Sequence, residues 1–281
     1  MFTLDGEANV LDYRIVHTVI RSDRRYCYAE VQQLLEDNGV VDGTGEPAPA
    51  PGKEGYKGEN ALQLIMLDAL AKRLRQKRFR HGSVNFDTEE LHFDIDEKGK
   101  PTRCYFKRSK DANKLIEEFM LLANRTVAES VACPGKGKKP KTLPYRIHDD
   151  PEKLENLREL TAKLGYKMKS TSTKGATARA LNKLMEEVDG HREAKLVQTI
   201  ALRSMMKAKY STHNIGHFGL AFDYYTHFTS PIRRYPDTMV HRLLTRYQDG
   251  GRSANKNHYE ELCEHCSNME QIAQNAERDS I

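Results

Sequence analysis

The sequence predicts an α+β fold that is mainly helical and carries a small sheet. Long segments with apolar residues at helical spacing occupy most of the chain, whereas a few shorter segments alternate apolar and polar residues between turn residues. The chain has 281 residues, of which 38% are apolar and 30% are charged, so it can bury the core of one large domain or of two smaller ones.

Alternation predicts extended chain in three places. Residues 14–21 alternate over several positions and predict a strand near the beginning of the chain. Residues 83–105 alternate on both sides of a turn at 97–100, which predicts two paired strands. Residues 216–228 are rich in aromatic side chains and predict a strand or an extended segment.

Helical spacing predicts helices over most of the remaining chain. Their predicted ranges are 28–36, 60–80, 111–131, 151–164, 175–188, 191–209, 236–247 and 259–280. Residues 42–58 are rich in glycine and proline and predict a loop, which we interpret as an insertion between helices because the helical pattern resumes at once.

Composition excludes some classes of protein. No apolar run is long enough to span a bilayer, and the N-terminus lacks a basic region followed by an apolar core, so we expect no membrane partner and a cytoplasmic location. The five cysteines are scattered and odd in number, which fits reduced thiols. The 45 basic residues exceed the 40 acidic ones by five, which permits nucleic-acid binding without arguing for it.

Two groups of residues have spacings that metal ligands use. Asp94 and Asp96 lie two apart on a predicted strand and point to one face, but they adjoin a turn where surface carboxylates are expected. Cys263 and Cys266 form half of a zinc pattern beside two histidines, but on a helix they are simply neighbours on one face. We therefore assign no metal ligand in this sequence.

The segment 216–237 has the strongest functional signal. Thr229 and Ser230 bring hydroxyls to a predicted turn, Arg233 and Arg234 follow, and a helix begins directly behind them. Hydroxyls, guanidinium groups and a positive helix end all suit a phosphate, and the flanking aromatic rings could stack on bases. On the residues alone, the more common explanation is that the aromatics are core and the arginines pair with carboxylates.

The same segment resembles a family signature. The run His227-Phe228-Thr229-Ser230-Pro231-Ile232-Arg233-Arg234-Tyr235, with Asp237 and the His241-Arg242 pair behind it, is similar to the ribonuclease II/ribonuclease R family. Residues 115–124, 20–28 and 276–279 resemble other family segments in the same order. The resemblance implies that 1–281 is the C-terminal part of an RNB-type catalytic domain, without the N-terminal metal-binding part and the flanking OB-type RNA-binding domains.

The resemblance also implies an activity. The family degrades RNA processively from its 3′ end by hydrolysis and releases nucleoside 5′-monophosphates, using Mg²⁺ held by four aspartates. We do not find those aspartates in this sequence, so we expect the chain alone to be inactive. The implied partner is the 3′ end of single-stranded RNA, and the ribonuclease R branch is the closer match.

Carried over residue by residue, the resemblance implies one catalytic residue and several substrate-binding residues. Arg233 resembles the arginine that contacts the scissile phosphate and stabilises developing charge. The substrate-binding positions are Tyr28, Glu117, Glu118, His227, Thr229, Ser230, Arg234 and Glu277. Only one of Glu117 and Glu118 matches the family glutamate, and the choice stays open: helix geometry places Glu117 on a polar face and favours a paired Glu118.

Two further hypotheses remain. The chain could instead belong to a non-catalytic RNA-binding or scaffolding protein derived from the same domain, and an upstream aspartate-rich reading frame would distinguish the two. A domain cut through its core also exposes apolar surface, so we expect copies of the fragment to self-associate.

Overall fold

The computed structural model describes residues 1–52, 55–84, 90–151, 154–169 and 173–279. Within these ranges the helices are α1 (Tyr28–Asp37), α2 (Ala61–Arg80), α3 (Asp111–Ala132), α4 (Leu154–Lys163), α5 (Lys174–Val188), α6 (Ala194–Ser204), α7 (Tyr235–Gln248) and α8 (Lys256–Asp279). The strands are β1 (Phe2–Leu4), β2 (Val10–Tyr13), β3 (Glu90–Ile95), β4 (Pro101–Lys107), β5 (Tyr145–Ile147) and β6 (Lys209–Ser211). The predicted fold class is confirmed, although the described strands form three antiparallel two-stranded sheets rather than one.

The predicted helices are present, with ends moved by local contacts. At the start of α1 the Glu30 carboxylate accepts a hydrogen bond from the Cys27 N–H at 2.7 Å, a capping-box contact. At the start of α5 the Thr173 hydroxyl accepts from the Ala176 N–H. The predicted helix 191–209 is shortened to α6, because residues 209–211 pair as strand β6 with β5.

The predicted strand at 14–21 is wrong. The Arg14 N–H donates to the Met1 carbonyl at 2.9 Å, and beyond this bond the described backbone is irregular. Val19 and Ile20 are exposed, so the apolar residues at this end of the segment do not pack against a core. Alternation produces a strand only where a neighbouring strand completes the hydrogen bonds.

The predicted pair of strands before α3 is confirmed as β3 and β4. They pair with Glu90 opposite Lys107 and Phe93 opposite Cys104, with an irregularity between Asp94 and Ile95. The described pairing begins at Glu90, and residues 85–89 of the prediction lie outside the described part of the chain.

The chain divides into two compact units. The first comprises Met1–Lys77 and Phe86–Phe119, and the second comprises Arg78–Asn85 and Met120–Ile281. In the first unit, Leu35, Val40 and Ile65 form a buried cluster. The described residues of 42–58 form the predicted loop, and Ala48 and Tyr56 from this loop pack against that cluster.

The buried face of α2 is partly polar. Asp68 and Lys72 are buried, and the Lys72 ammonium lies 2.8 Å from Asp68 and 3.2 Å from Asp111. Leu62 and Met66, which helical spacing predicts on the apolar stripe, are exposed instead. Part of this helix is therefore fixed by a buried ion pair.

The second unit is built from α4–α6 and from α7 and α8. Buried leucine, valine and alanine side chains pack α4, α5 and α6, and they are Leu157, Leu181, Leu184, Val188, Val197 and Ala201. Tyr210 of β6, Met239 of α7 and Cys263 of α8 form a second cluster. This cluster fixes α7, whose first turn borders the candidate site. No helix in the described ranges is long and apolar enough to cross a membrane.

Candidate active site

The predicted turn lies immediately before α7 in the second unit. We call residues 227–234 the arginine turn. The Arg233 and Arg234 N–H groups both donate to the Ser230 carbonyl, at 3.3 and 3.0 Å, which closes the chain around an exposed tip at Ile232. Because α7 begins directly afterwards, the positive end of its dipole lies beside the turn.

Arg233 is exposed on this turn. Within the described residues of its own unit, its guanidinium group makes no hydrogen bond or ion pair, although its backbone is fixed. A guanidinium group presents several N–H donors in a planar arrangement that matches phosphate oxygens. The side chain is therefore available to an anionic ligand.

Arg234 has a different environment. Its Nη2 donates to Asp237 Oδ1 at 2.8 Å, and the Ser230 N–H donates to the same oxygen, also at 2.8 Å. Asp237 is completely buried in the first turn of α7. Arg234, predicted as a substrate-binding residue, thus has an internal partner that ties the turn to the helix.

The arginine turn and the first turn of α7 also contain buried polar atoms with unused hydrogen-bonding capacity. Among the described residues, Thr229 Oγ1, Arg234 Nε and Asp237 Oδ2 are buried without a hydrogen-bond partner. Buried polar atoms are normally paired, so this concentration at one turn is unusual. Thr229 and Ser230, both predicted as substrate-binding residues, are half-buried here.

Asn124 of α3 holds the beginning of the arginine turn. Its Oδ1 accepts from the Phe228 N–H at 3.0 Å and from the Thr229 N–H at 3.2 Å, and its Nδ2 donates to the Tyr225 hydroxyl at 3.1 Å. The Phe228 carbonyl lies 2.9 Å from Nε2 of His241, whose ring stacks on the Phe228 ring with centroids 4.2 Å apart. The backbone is therefore fixed on both sides of Phe228.

His227 lies in a row of aromatic contacts. Its Nδ1 is 2.7 Å from the Tyr210 hydroxyl, and its ring lies edge-on to the rings of Tyr210 and Tyr225. Burial, reinforced by the nearby Arg234 guanidinium, lowers the pKa of His227 to about 2. The imidazole is neutral at physiological pH, so it does not meet an RNA phosphate as a cation.

The substrate-binding residues predicted in the first unit differ in exposure. Tyr28 opens α1 and is half exposed. On α3, Glu117 is exposed, whereas Glu118 is only 3% exposed and its Oε1 lies 3.8 Å from Arg75 Nη1. The pairing expected for Glu118 from helix geometry is confirmed, and the choice between Glu117 and Glu118 as the substrate-binding glutamate stays a prediction.

Glu277, the remaining predicted position, lies in the last turns of α8 and is exposed. The second unit thus brings His227, Thr229, Ser230, Arg233 and Arg234 together on one turn. Tyr28 and the two glutamates belong to the first unit.

The residues with metal-like spacing have other roles in the structure. Asp96 Oδ1 accepts from the Lys98 and Lys100 N–H groups at 2.9 and 2.8 Å, so it closes the turn between β3 and β4. Cys263 is buried in the cluster between β6, α7 and α8. In the described ranges, no three His, Cys, Asp or Glu side chains are grouped so that they could hold a metal ion. The residues present therefore do not fit the family's Mg²⁺ site.

Sequence reasoning missed the supporting residues of the site. Asn124 and Asp237 entered the prediction as parts of family-like segments, and Tyr210 was given no role. The available signal was the Arg234–Asp237 spacing, because residues three apart at a helix start can contact each other. The contacts of Asn124 and Tyr210 join segments that are distant in sequence, and no local pattern reports them.

Comparison with known proteins identifies the family. A family model described as the RNB domain matches residues 1–250. The chain belongs to the RNB-domain family.

Its relatives within that family include ribonuclease R proteins. The chain is 39% identical over 283 residues to ribonuclease R of Aquifex aeolicus, covering 99% of this chain and 37% of the relative. It is 34% identical to ribonuclease R 1 of Lactococcus lactis, covering 98% of this chain and 32% of the relative. The chain thus spans about a third of the length of these two relatives.

The fold matches a solved structure over nearly the whole chain. Mycoplasma genitalium RNase R in complex with ribose-methylated single-stranded RNA superposes with a TM-score of 0.81 at 24% identity, covering 99% of this chain and 42% of that one. A structure of the same protein in complex with double-stranded RNA gives the same TM-score and identity.

Proposed function

We propose that the chain is a substrate-binding part of an enzyme that hydrolyses RNA processively from the 3′ end and releases nucleoside 5′-monophosphates. Family membership supports the class of reaction. The observation that carries the proposal is the exposed Arg233 guanidinium on a turn whose backbone is fixed. The partner is the 3′ end of single-stranded RNA.

In this proposal Arg233 contacts the scissile phosphate. Phosphodiester hydrolysis places additional negative charge on the phosphate oxygens, and a guanidinium group presented from a fixed backbone stabilises that charge. Divalent metal chemistry in the family activates water and stabilises the leaving oxygen. The described residues offer no ligand set for such an ion, so we derive no step through it.

Other residues have supporting roles. Tyr28, Glu117 and Glu277 are exposed, and each is proposed as a substrate-binding residue on the strength of the family resemblance. Arg234 acts through Asp237, because its guanidinium is engaged there. We expect the chain alone to be inactive, since it lacks a recognisable metal-binding aspartate cluster.

The test compares the binding of a fluorescent oligoadenylate by the chain and by two arginine variants. Arg233→Ala removes a charge-assisted contact and is expected to raise Kd about tenfold, which corresponds to ~1.4 kcal/mol. Arg203→Ala is the matched control, because Arg203 is an exposed arginine near the end of α6. Equal Kd values for wild type and Arg233→Ala would contradict the role of Arg233.

A second function belongs to another class: binding or scaffolding of single-stranded RNA without hydrolysis. The exposed Arg233 guanidinium on the arginine turn supports this function as well, because phosphate binding needs no hydrolysis. The polypeptide of the complete reading frame distinguishes the two. Mg²⁺-dependent release of mononucleotides that Arg233→Ala abolishes supports the enzyme, whereas binding without release supports the scaffold. Mononucleotide release by the 281-residue chain alone would contradict its expected inactivity.

A further inference from the structure

The arginine turn presents Arg233 only if its backbone keeps one conformation. The contacts on the C-terminal side of the turn come from α7, where Asp237 accepts from the Ser230 N–H. The Phe228 and Thr229 N–H groups on the other side have no partner within the turn. Both are instead satisfied by one side chain from α3, that of Asn124.

We infer that Asn124 is a positioning residue that fixes the start of the arginine turn and thereby aims Arg233 at the RNA phosphate. This inference rests on the proposed function for its last step, the contact with phosphate. Its first step, fixation of the turn, stands on geometry alone.

The geometry of the amide is specific. Two backbone N–H groups converge on Oδ1, which determines the orientation of the amide and directs Nδ2 to the Tyr225 hydroxyl 3.1 Å away. Asn124 is 2% exposed and Tyr225 is 5% exposed, so water does not readily replace these bonds. A single side chain thus links α3 to both the aromatic row and the turn.

Substitutions can separate the two steps. Asn124→Leu has a similar volume and removes the acceptor, so it leaves the Phe228 and Thr229 N–H groups without a partner. Asn124→Asp keeps an oxygen for both N–H groups, and the Tyr225 hydroxyl can rotate to donate to it. Asn182→Leu is the matched control, because Asn182 lies on α5 and its amide donates to the Ser83 carbonyl at 2.8 Å.

The first measurement is hydrogen exchange of the peptides that span residues 226–234. We expect these peptides to exchange faster in Asn124→Leu than in wild type, to return towards the wild-type rate in Asn124→Asp, and to be unchanged in Asn182→Leu. Exchange in Asn124→Leu equal to that of wild type would overturn the inference.

The second measurement is a double-mutant cycle on oligoadenylate binding by the chain. Asn124→Leu is expected to raise Kd about tenfold, and the double variant Asn124→Leu/Arg233→Ala is expected to bind no more weakly than Arg233→Ala, because residues that act through one contact are not additive. Losses that multiply would overturn the link to Arg233. If Arg233→Ala binds like wild type while exchange rises as expected, the proposed function fails and fixation of the turn by Asn124 stands.

Discussion

At the scale of single residues, the two adjacent arginines of the signature have opposite environments. Arg233 is exposed, and its guanidinium group binds no described residue of the second unit, whereas Arg234 is paired with a buried carboxylate. The sequence alone could not distinguish them, because both follow the same turn. Their difference arises from Asp237, whose Oδ1 accepts from Nη2 of Arg234 at 2.8 Å.

Substitution of Asp237 tests whether its ion pair with Arg234 stabilises the fold. Asp237→Asn removes a negative charge from the completely buried partner of Arg234, and breaking a buried ion pair in this way costs about 3 kcal/mol of unfolding free energy. Urea unfolding at neutral pH measures the loss. The double variant Asp237→Asn/Arg234→Met is expected to recover part of it, since no unpaired guanidinium remains. An Asp237→Asn variant as stable as wild type would show that the pair is not structural.

At the scale of elements, the segment 216–228 carries two histidines with lowered pKa values, and His148, directly after β5, is a third. Burial lowers the pKa of His217 to about 3 and that of His227 to about 2, and it also lowers the pKa of His148. His148 accepts from the Gly219 N–H through Nδ1, so a proton on that nitrogen would break the contact. The folded chain therefore resists protonation at these positions.

The stability of the second unit should consequently fall in mild acid. Between pH 6.5 and the folded pKa values of about 3 for His217 and about 2 for His227, the unfolded chain binds protons at these two histidines while the folded chain does not, so unfolding free energy is lost as pH falls. At pH 5 the loss reaches at most about 2 kcal/mol for each histidine. Urea midpoints at pH 7.5 and 5.0 measure it. His217→Asn should reduce the difference, and His258→Asn, at an exposed position on α8, should not.

Element types were more predictable than their pairing. Helices such as α3 and α7 follow from apolar spacing, because a stripe of apolar residues has to be buried on one side. The strands β5 and β6 have three residues each, too few to show alternation, and they are defined by partners far away in sequence. The burial of Asp68 and Lys72 on α2 was not predicted. Each charge can be buried because it is paired with the other, and a pattern that treats residues one by one does not show such a pair.

In the candidate site, too, the local segment was predictable and its tertiary contacts were not. The arginine turn and its location before α7 were predictable from hydroxyl, proline and arginine residues in sequence order. The contributions of Asn124 and Tyr210 were not predictable. Asn124 contacts the turn from a position 104 residues earlier in the chain, and Tyr210 contacts it from the separate strand β6. Local sequence thus indicates the ligand-facing group, whereas tertiary contacts determine the groups that hold it.

At the scale of the whole molecule, the first unit exposes apolar side chains near the beginning of the chain. Leu11 and Val16 are 65% and 53% exposed, and Val19 and Ile20 are 103% and 86% exposed. All four lie in or just after β2, on a two-stranded sheet and an irregular segment with little support of their own. Exposed apolar groups of this kind promote association.

We therefore expect the 281-residue chain to self-associate through this segment. Val19→Lys and Ile20→Lys place charges on the exposed residues, and each should shift the weight-average mass in sedimentation equilibrium towards that of the monomer. Leu202→Lys is the control, because Leu202 is a 48% exposed leucine on α6 in the second unit. Because the substituted residues are exposed, the monomeric variants should unfold at the same urea concentration as wild type in dilute solution. A wild-type chain that is monomeric at all concentrations would refute this expectation, and an equal effect of Leu202→Lys would place the association elsewhere.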